Sequence, residues 1–324
     1  MMHDKEMGHL AQSHPKGFSL FLKKHTYGNR LWEQTFKYPN IGASFHYVDY
    51  QSPILGETFS AMGNIDYYLI RKRNRTFQFQ FGFGIGYSTH PYDKETNNKN
   101  IAIGSHFTYA ALIRLAYTHQ IAPRLDLDAG IKLSHFSNGA FKVPNKGINV
   151  VTADLGFSYD LNRQKLEYQK ALNSPLVDKQ MHYNITLATG IKEIDPVGSG
   201  KFSFFTLSMY ASKQTTRSNE FNFGLDAFYS FATKEEIKID RELNGESPDF
   251  KRLGIVGGHS LLLGKLSFLT QLGVYVYKPY KSDKPVYQRY GFKYAFHEQF
   301  FGAVYLKTHY AKADAVEWTI GFKL

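Results

Sequence analysis

Residues 125–137 read Leu-Asp-Leu-Asp-Ala-Gly-Ile-Lys-Leu-Ser-His-Phe-Ser. Taken in steps of two, Leu125, Leu127, Ala129, Ile131 and Leu133 form an apolar row that His135 and Ser137 continue. The intervening positions are Asp126, Asp128, Gly130, Lys132, Ser134 and Phe136, which carry the charge. Successive side chains on a strand point to opposite faces, so the two rows lie on opposite sides of one sheet. An apolar face alternating with a charged one over this length is the pattern of a strand in an outer-membrane barrel.

The alternation recurs along the chain. In 77–87, Phe77, Phe79, Phe81, Phe83, Ile85 and Tyr87 interleave with Gln78, Gln80, Gly82, Gly84 and Gly86. The last segment sets Val316, Trp318, Ile320, Phe322 and Leu324 against Ala315, Glu317, Thr319, Gly321 and Lys323. Similar segments lie near 41–50, 56–70, 105–118, 147–161, 183–193, 201–213, 219–231, 253–263, 266–277, 286–296 and 299–310. This predicts an all-β chain, one antiparallel outer-membrane β-barrel of about 14 strands, within two. Residues 40–324 would form the barrel, and 1–39 an N-terminal periplasmic lead-in, or an extra strand over 17–39.

Composition agrees with that reading. The 27 Phe and 23 Tyr are many for 324 residues and suit a lipid-facing surface with aromatic girdles. A mean hydropathy of -0.38 is no objection, because a barrel strand needs only one apolar face. No apolar run reaches the roughly 18 residues of a helical span. Links are short at 71–75, 120–124, 263–265 and 297–299 and long at 89–104, 138–146, 235–251 and 278–285. With short turns on the periplasmic side, the segment after Ser137 faces outward. The link 162–180, with Arg163, Lys165, Glu167 and Lys170, is long for a periplasmic turn. Met1–Lys16 shows no charged segment followed by an apolar one, so no secretory leader is visible. A processed form or an upstream start is therefore expected. The absence of Cys fits an envelope location without establishing it.

His135 and Ser137 share a face, as a general base and its nucleophile require. The chain continues through 138–149 as Asn-Gly-Ala-Phe-Lys-Val-Pro-Asn-Lys-Gly-Ile-Asn. This window resembles the lipid A 3-O-deacylase (PagL-like) family, also described as acyloxyacyl hydrolases. Their pattern is roughly His-x-Ser-Asn, a spacer, Pro-Asn-x-Gly-Ile and an acidic residue. His135, Ser137, Asn138, Pro144, Asn145, Gly147 and Ile148 match it in order and spacing. The match covers about 15 residues, and the best-known members are smaller barrels.

The resemblance implies an outer-membrane serine esterase that removes an ester-linked acyl chain from lipid A of lipopolysaccharide. Ser137 would be the nucleophile and His135 the base, with Asn138, Gly139 and Asn145 supporting the site and its oxyanion. The family's acid falls on Asn149, which is the principal departure. Asn149 lies on the same alternate row as Val151, Ala153, Leu155, Phe157 and Tyr159, so it shares a face with His135 and Ser137. An amide oxygen accepts the histidine Nδ1–H as in Cys-His-Asn enzymes, and outer-membrane phospholipases resemble this Ser-His-Asn arrangement too. A carboxylate stabilises imidazolium more than an amide does, so a lower rate is expected.

The formal charge is +11, from 39 Lys and Arg against 28 Asp and Glu. For a barrel, phosphate-rich lipid is a better partner than nucleic acid, and Lys142 and Lys146 lie in the motif loop as candidate phosphate contacts. Each alone is as readily a solvated loop lysine. His3, His9 and His14 are too loosely spaced for a metal site, and no cofactor is expected. Gly82, Gly84 and Gly86 belong to strand alternation, since no helix follows them. Two other functions compete: a phospholipase or other esterase using the same site, and a catalytically silent barrel acting as a pore or binding protein.

Overall fold

The computed structural model describes residues 5–10, 13–161, 167–169, 177–245, 247–310 and 312–324. His3 and, in the long link, Arg163, Lys165 and Lys170 lie outside the described residues. The chain divides into two compact units, one of Met1–Asn138 with Pro144–Leu172 and one of Gly139–Val143 with Asn173–Leu324.

The first unit is built from β1 (Lys16–His25), β2 (Asn40–Asp49), β3 (Glu57–Arg71), β4 (Arg75–Ser88), β5 (Phe107–Ala122), β6 (Leu125–Ser137) and β7 (Ile148–Tyr159), with a short helix α1 (Leu31–Thr35) between β1 and β2. The strands form one antiparallel sheet in sequence order. One face is polar and internal. Arg114 of β5 pairs with Asp128 of β6 and Asp154 of β7, and Lys23 of β1 lies 2.9 Å from Asp66 of β3. Lys132 Nζ donates to Ser19 Oγ at 2.8 Å, joining β6 to β1 across the inside of the curled sheet. Near the loops after β2, β4 and β6 the interior turns apolar, with Tyr50, Met62, Leu112, Phe136, Ile148 and Val150 packed under Leu55 and Ile103. The opposite face exposes Leu20, Ile131, Leu133, Val151, Leu155 and Phe157.

The second unit contains β8 (Met181–Lys192), β9 (Phe202–Gln214), β10 (Asn219–Ser230), α2 (Phe231–Asn244), β11 (Arg252–Leu263), β12 (Leu266–Tyr277), β13 (Val286–Ala295), β14 (Phe300–His309) and β15 (Lys312–Lys323). Its eight strands close into a barrel, with Trp318–Lys323 of β15 paired to Asn184–Thr189 of β8. Eight strands leave an interior about wide enough for side chains to fill. Here Arg289 lies 2.8 Å from Asp226 and 2.6 Å from Glu317, while Asp314 lies 2.6 Å from Lys192 and 3.2 Å from Lys307. Outward-pointing Phe223, Leu225, Leu272, Val276, Trp318 and Ile320 are exposed. Ser230 Oγ caps α2 by accepting from Thr233 N at 3.2 Å, and Gly245 at φ 78° ends it, a left-handed cap that glycine adopts without strain.

The expectation of a single barrel of about 14 strands is corrected. Fifteen strands lie in two sheets among the described residues. The additional strand is β1, in the 1–39 segment for which a lead-in or an extra strand over 17–39 was expected. There Phe18, Leu20 and Leu22 point outward while Ser19, Phe21 and Lys23 sit partly covered. The closure differs because alternation assigns a residue to a face and says nothing of which strand completes a sheet. No helix among the described residues is long and apolar enough to cross a membrane, which leaves crossing by strands untouched.

Candidate active site

The site grows from the β6–β7 pair. Phe136 points inward and is 1% exposed, and burying a phenylalanine contributes about 1.5–3 kcal/mol. That anchor sets the phase of β6, so His135 and Ser137 on either side of it point outward beside exposed Ile131 and Leu133. In the antiparallel register His135 stands opposite Asn149 of β7. Their side chains meet. Asn149 Oδ1 lies 2.8 Å from His135 Nδ1, and His135 Nε2 lies 3.1 Å from Ser137 Oγ. With the ring proton on Nδ1, the histidine donates to the amide oxygen and its Nε2 accepts the Ser137 hydroxyl hydrogen. The three residues singled out in the sequence are therefore brought into one hydrogen-bonded relay, with Ser137 buried and Asn149 exposed.

The turn 138–147 braces this relay. Asn138 N donates to Asn145 Oδ1 at 2.9 Å, and Asn138 Nδ2 donates to Ser105 Oγ at 3.0 Å. Asn145 thus shapes the turn by holding the backbone one residue beyond the nucleophile. Its Nδ2 is buried without a hydrogen-bond partner among the described residues, which leaves a donor to be met by water or substrate. Gly147 N and Lys146 N donate to Ala102 O and Ile101 O at 2.9 and 3.3 Å, stitching the turn to the β4–β5 loop. Gly147 has φ +76°, and a Cβ there would stand 3.0 Å from His135 Cε1 and 3.5 Å from Ser137 Cβ. Glycine is needed twice over, for the left-handed backbone and for the space beside the imidazole.

Of the two loop lysines, Lys146 is exposed and Lys142 half-buried. Gly139, expected to support the oxyanion, has φ +64°, and Ala140 follows at φ +65°. Sequence reasoning missed Ser105, which holds Asn138. Ser105 lies 33 residues from Asn138 and outside any recognisable motif, so no sequence signal marked it.

Two family models match the chain. One, described as lipid A 3-O-deacylase (PagL), covers residues 16–158, hence β1–β7 and the whole His135–Asn149 window. The other, described as acyloxyacyl hydrolase, C-terminal domain, covers residues 181–324, hence β8–β15. The chain belongs to the PagL-like family. No curated protein matches it. Membership makes this PagL-like chain a hydrolase of ester bonds that acts on lipid A. The family is one of outer-membrane enzymes, and the strand-built units with their apolar outer faces fit that setting.

Proposed function

We propose that this protein is an outer-membrane serine esterase that removes an ester-linked acyl chain from lipid A in the outer leaflet, at the 3-O position named in the family description. The observation that carries the reading is the Ser137–His135–Asn149 relay on the outward face, continuous with the exposed row of Ile131, Leu133 and Val151. A lipid reaches such a site by lateral diffusion, and the surrounding acyl chains exclude bulk water and strengthen polar contacts to the reacting group.

In the first step Ser137 Oγ attacks the ester carbonyl while its proton passes to His135 Nε2, and Asn149 holds the ring through Nδ1. The carbonyl oxygen becomes an oxyanion, with the Asn145 amide nitrogen as its donor. The carbonyl-carbon to sugar-oxygen bond then breaks, and His135 returns the proton to the departing sugar hydroxyl. In the second step His135 takes a proton from water, the hydroxide attacks the acyl-Ser137 ester, and the proton returns to Ser137 as the fatty acid leaves. Lys142 and Lys146 are candidate contacts for lipid A phosphates.

A phospholipase would use the same relay, so the substrate decides between them. The intact relay weighs against a silent barrel, and the side-chain-filled interior of the eight-stranded barrel weighs against a wide pore. The test pairs the full-length protein in detergent micelles with lipopolysaccharide and, separately, with diacyl phosphatidylethanolamine, following released fatty acid, and labels Ser137 with a fluorophosphonate. Labelling with release from lipopolysaccharide alone is expected. Release from the phospholipid alone would replace the lipid A reading, and absence of both labelling and release would return the silent barrel.

A further inference from the structure

Within the first unit, a line of hydrogen bonds runs from the loop after β4 to the open donor of the site. Ser105 Oγ donates to Phe107 O at 2.8 Å and accepts from Asn138 Nδ2 at 3.0 Å. Asn138 N donates to Asn145 Oδ1 at 2.9 Å, and Asn145 Nδ2 is buried without a hydrogen-bond partner among the described residues. A hydroxyl has one hydrogen to give. That of Ser105 is committed to Phe107 O, so its oxygen offers only lone pairs to Asn138, which must turn its NH2 rather than its carbonyl oxygen toward Ser105. Flipping the Asn138 amide would set two acceptors face to face. At 2% exposure, Asn138 has little water with which to compensate.

Ser105 is itself held on both sides. Before it, the fully buried Asn100 accepts at Oδ1 from Ala102 N at 3.1 Å and Ile103 N at 3.2 Å, and donates from Nδ2 to His90 O at 2.6 Å. After it, Ser88 N donates to His106 O at 2.7 Å, and His106 Nδ1 lies 2.8 Å from Ser88 O. The loop after β4 therefore grips the catalytic turn at both ends, at Asn138 through Ser105 and at Gly147 through Ala102 O. The Asn138 end is the one that bears on Asn145. With its Oδ1 fixed on Asn138 N, the Asn145 amide keeps its Nδ2 for the site.

We propose that Ser105 is a positioning residue for the esterase: through Asn138 it sets the Asn145 amide, whose Nδ2 meets the oxyanion. Ser105 acts without touching substrate. This role rests on the esterase reading above, and its test separates the two.

Full-length wild type, Ser105→Ala, Ser105→Thr, Asn145→Ala and the Ser105→Ala, Asn145→Ala double variant are compared in micelles for kcat and KM of fatty-acid release from lipopolysaccharide. The rate of Ser137 labelling by a fluorophosphonate is followed in parallel. In labelling, Oγ displaces fluoride from phosphorus, its proton passes to His135, and the phosphoryl oxygen takes the place of the carbonyl oxygen. Loss of an oxyanion donor costs about 100-fold or more, and a misplacement of about 1 Å up to about 100-fold. Ser105→Ala is therefore expected to lower kcat and the labelling rate roughly 10- to 100-fold, with KM within about twofold. Ser105→Thr, which keeps the hydroxyl, is expected to stay within about threefold of wild type. On the Asn145→Ala background, Ser105→Ala is expected to cost less than about threefold more, because the two act through one amide. Unchanged kcat and labelling in folded Ser105→Ala would overturn the proposal, as would a loss confined to KM or a full additional loss on the Asn145→Ala background. If wild type releases no fatty acid but labels at Ser137 in a Ser105-dependent way, the lipid A reading fails and the positioning role stands. Absence of both release and labelling in folded wild type overturns both. Should Ser105→Ala fail to fold, judged by heat-modifiable gel mobility, Ser105→Cys carries the same test, since a thiol keeps the shape and weakens both hydrogen bonds.

Discussion

At the scale of single residues, the departure that matters is Asn149, which gives His135 a neutral acceptor 2.8 Å from Nδ1. Replacing it by the isosteric acid keeps the geometry and adds charge. A charge-assisted hydrogen bond is about twice as strong as a neutral one, and about 1.4 kcal/mol is tenfold in rate. Asn149→Asp is expected to raise kcat roughly 3- to 10-fold, and Asn149→Ala to lower it roughly 10- to 100-fold, by initial rates of fatty-acid release. Gly147→Ala gives a second test. It sets a methyl against the imidazole on a backbone at φ +76°. It is expected to cost about 1 kcal/mol of stability and to depress activity well beyond that loss, seen by comparing unfolding midpoints with kcat. The relay itself was legible, because strand parity alone places His135, Ser137 and Asn149 on one face. Asn145's hold on the Asn138 backbone amide and Ser105's hold on the Asn138 side chain were not, since neither follows from periodicity.

At the scale of the element, the β6–β7 ribbon sorts Ile131, Leu133, Val151 and Leu155 outward and Lys132 and Asp154 inward. Outward Leu155, 73% exposed in a protein of this family, is expected to face lipid. An arginine on the lipid face costs about 2–4 kcal/mol at the bilayer midplane and little near its edges. Leu155→Arg is therefore expected to reduce the yield of folded protein in lipid vesicles more than Tyr159→Arg at the strand end, read by gel mobility before and after heating. Alternation made nearly every strand visible beforehand. For β1 it allowed either a lead-in or a strand over 17–39, because the basic Lys16, Lys23 and Lys24 and the following Arg30–Tyr38 stretch dilute its pattern of Phe18, Leu20 and Leu22.

At the scale of the whole chain, what parity left open was closure. Nothing in β15 says whether it pairs back to β8 or to a strand near the N-terminus, because either partner leaves Trp318 and Ile320 outside. The second unit is held from within by Arg289 bound to both Asp226 and Glu317, all three side chains almost wholly buried. Removing one partner of such a group strands the others, at a cost of about 3–5 kcal/mol. Arg289→Met is expected to lower the unfolding free energy of the second unit by that amount, read as a lower urea midpoint at unchanged slope, while leaving the first unchanged. Trp318 reports on the second and Trp32 on the first, so single-tryptophan variants followed by fluorescence resolve the two transitions.

The central claim is that Ser137, activated by His135 on the outer face, cleaves an acyl ester of lipid A. The most direct measurement is the mass of lipid A from Gram-negative cells expressing the full-length protein, against cells expressing Ser137→Ala or His135→Ala at equal folded levels. Loss of one acyl chain with wild type, abolished by either substitution, is the expected result. Unchanged lipid A with correctly inserted wild-type protein, or a loss that survives Ser137→Ala, would contradict it.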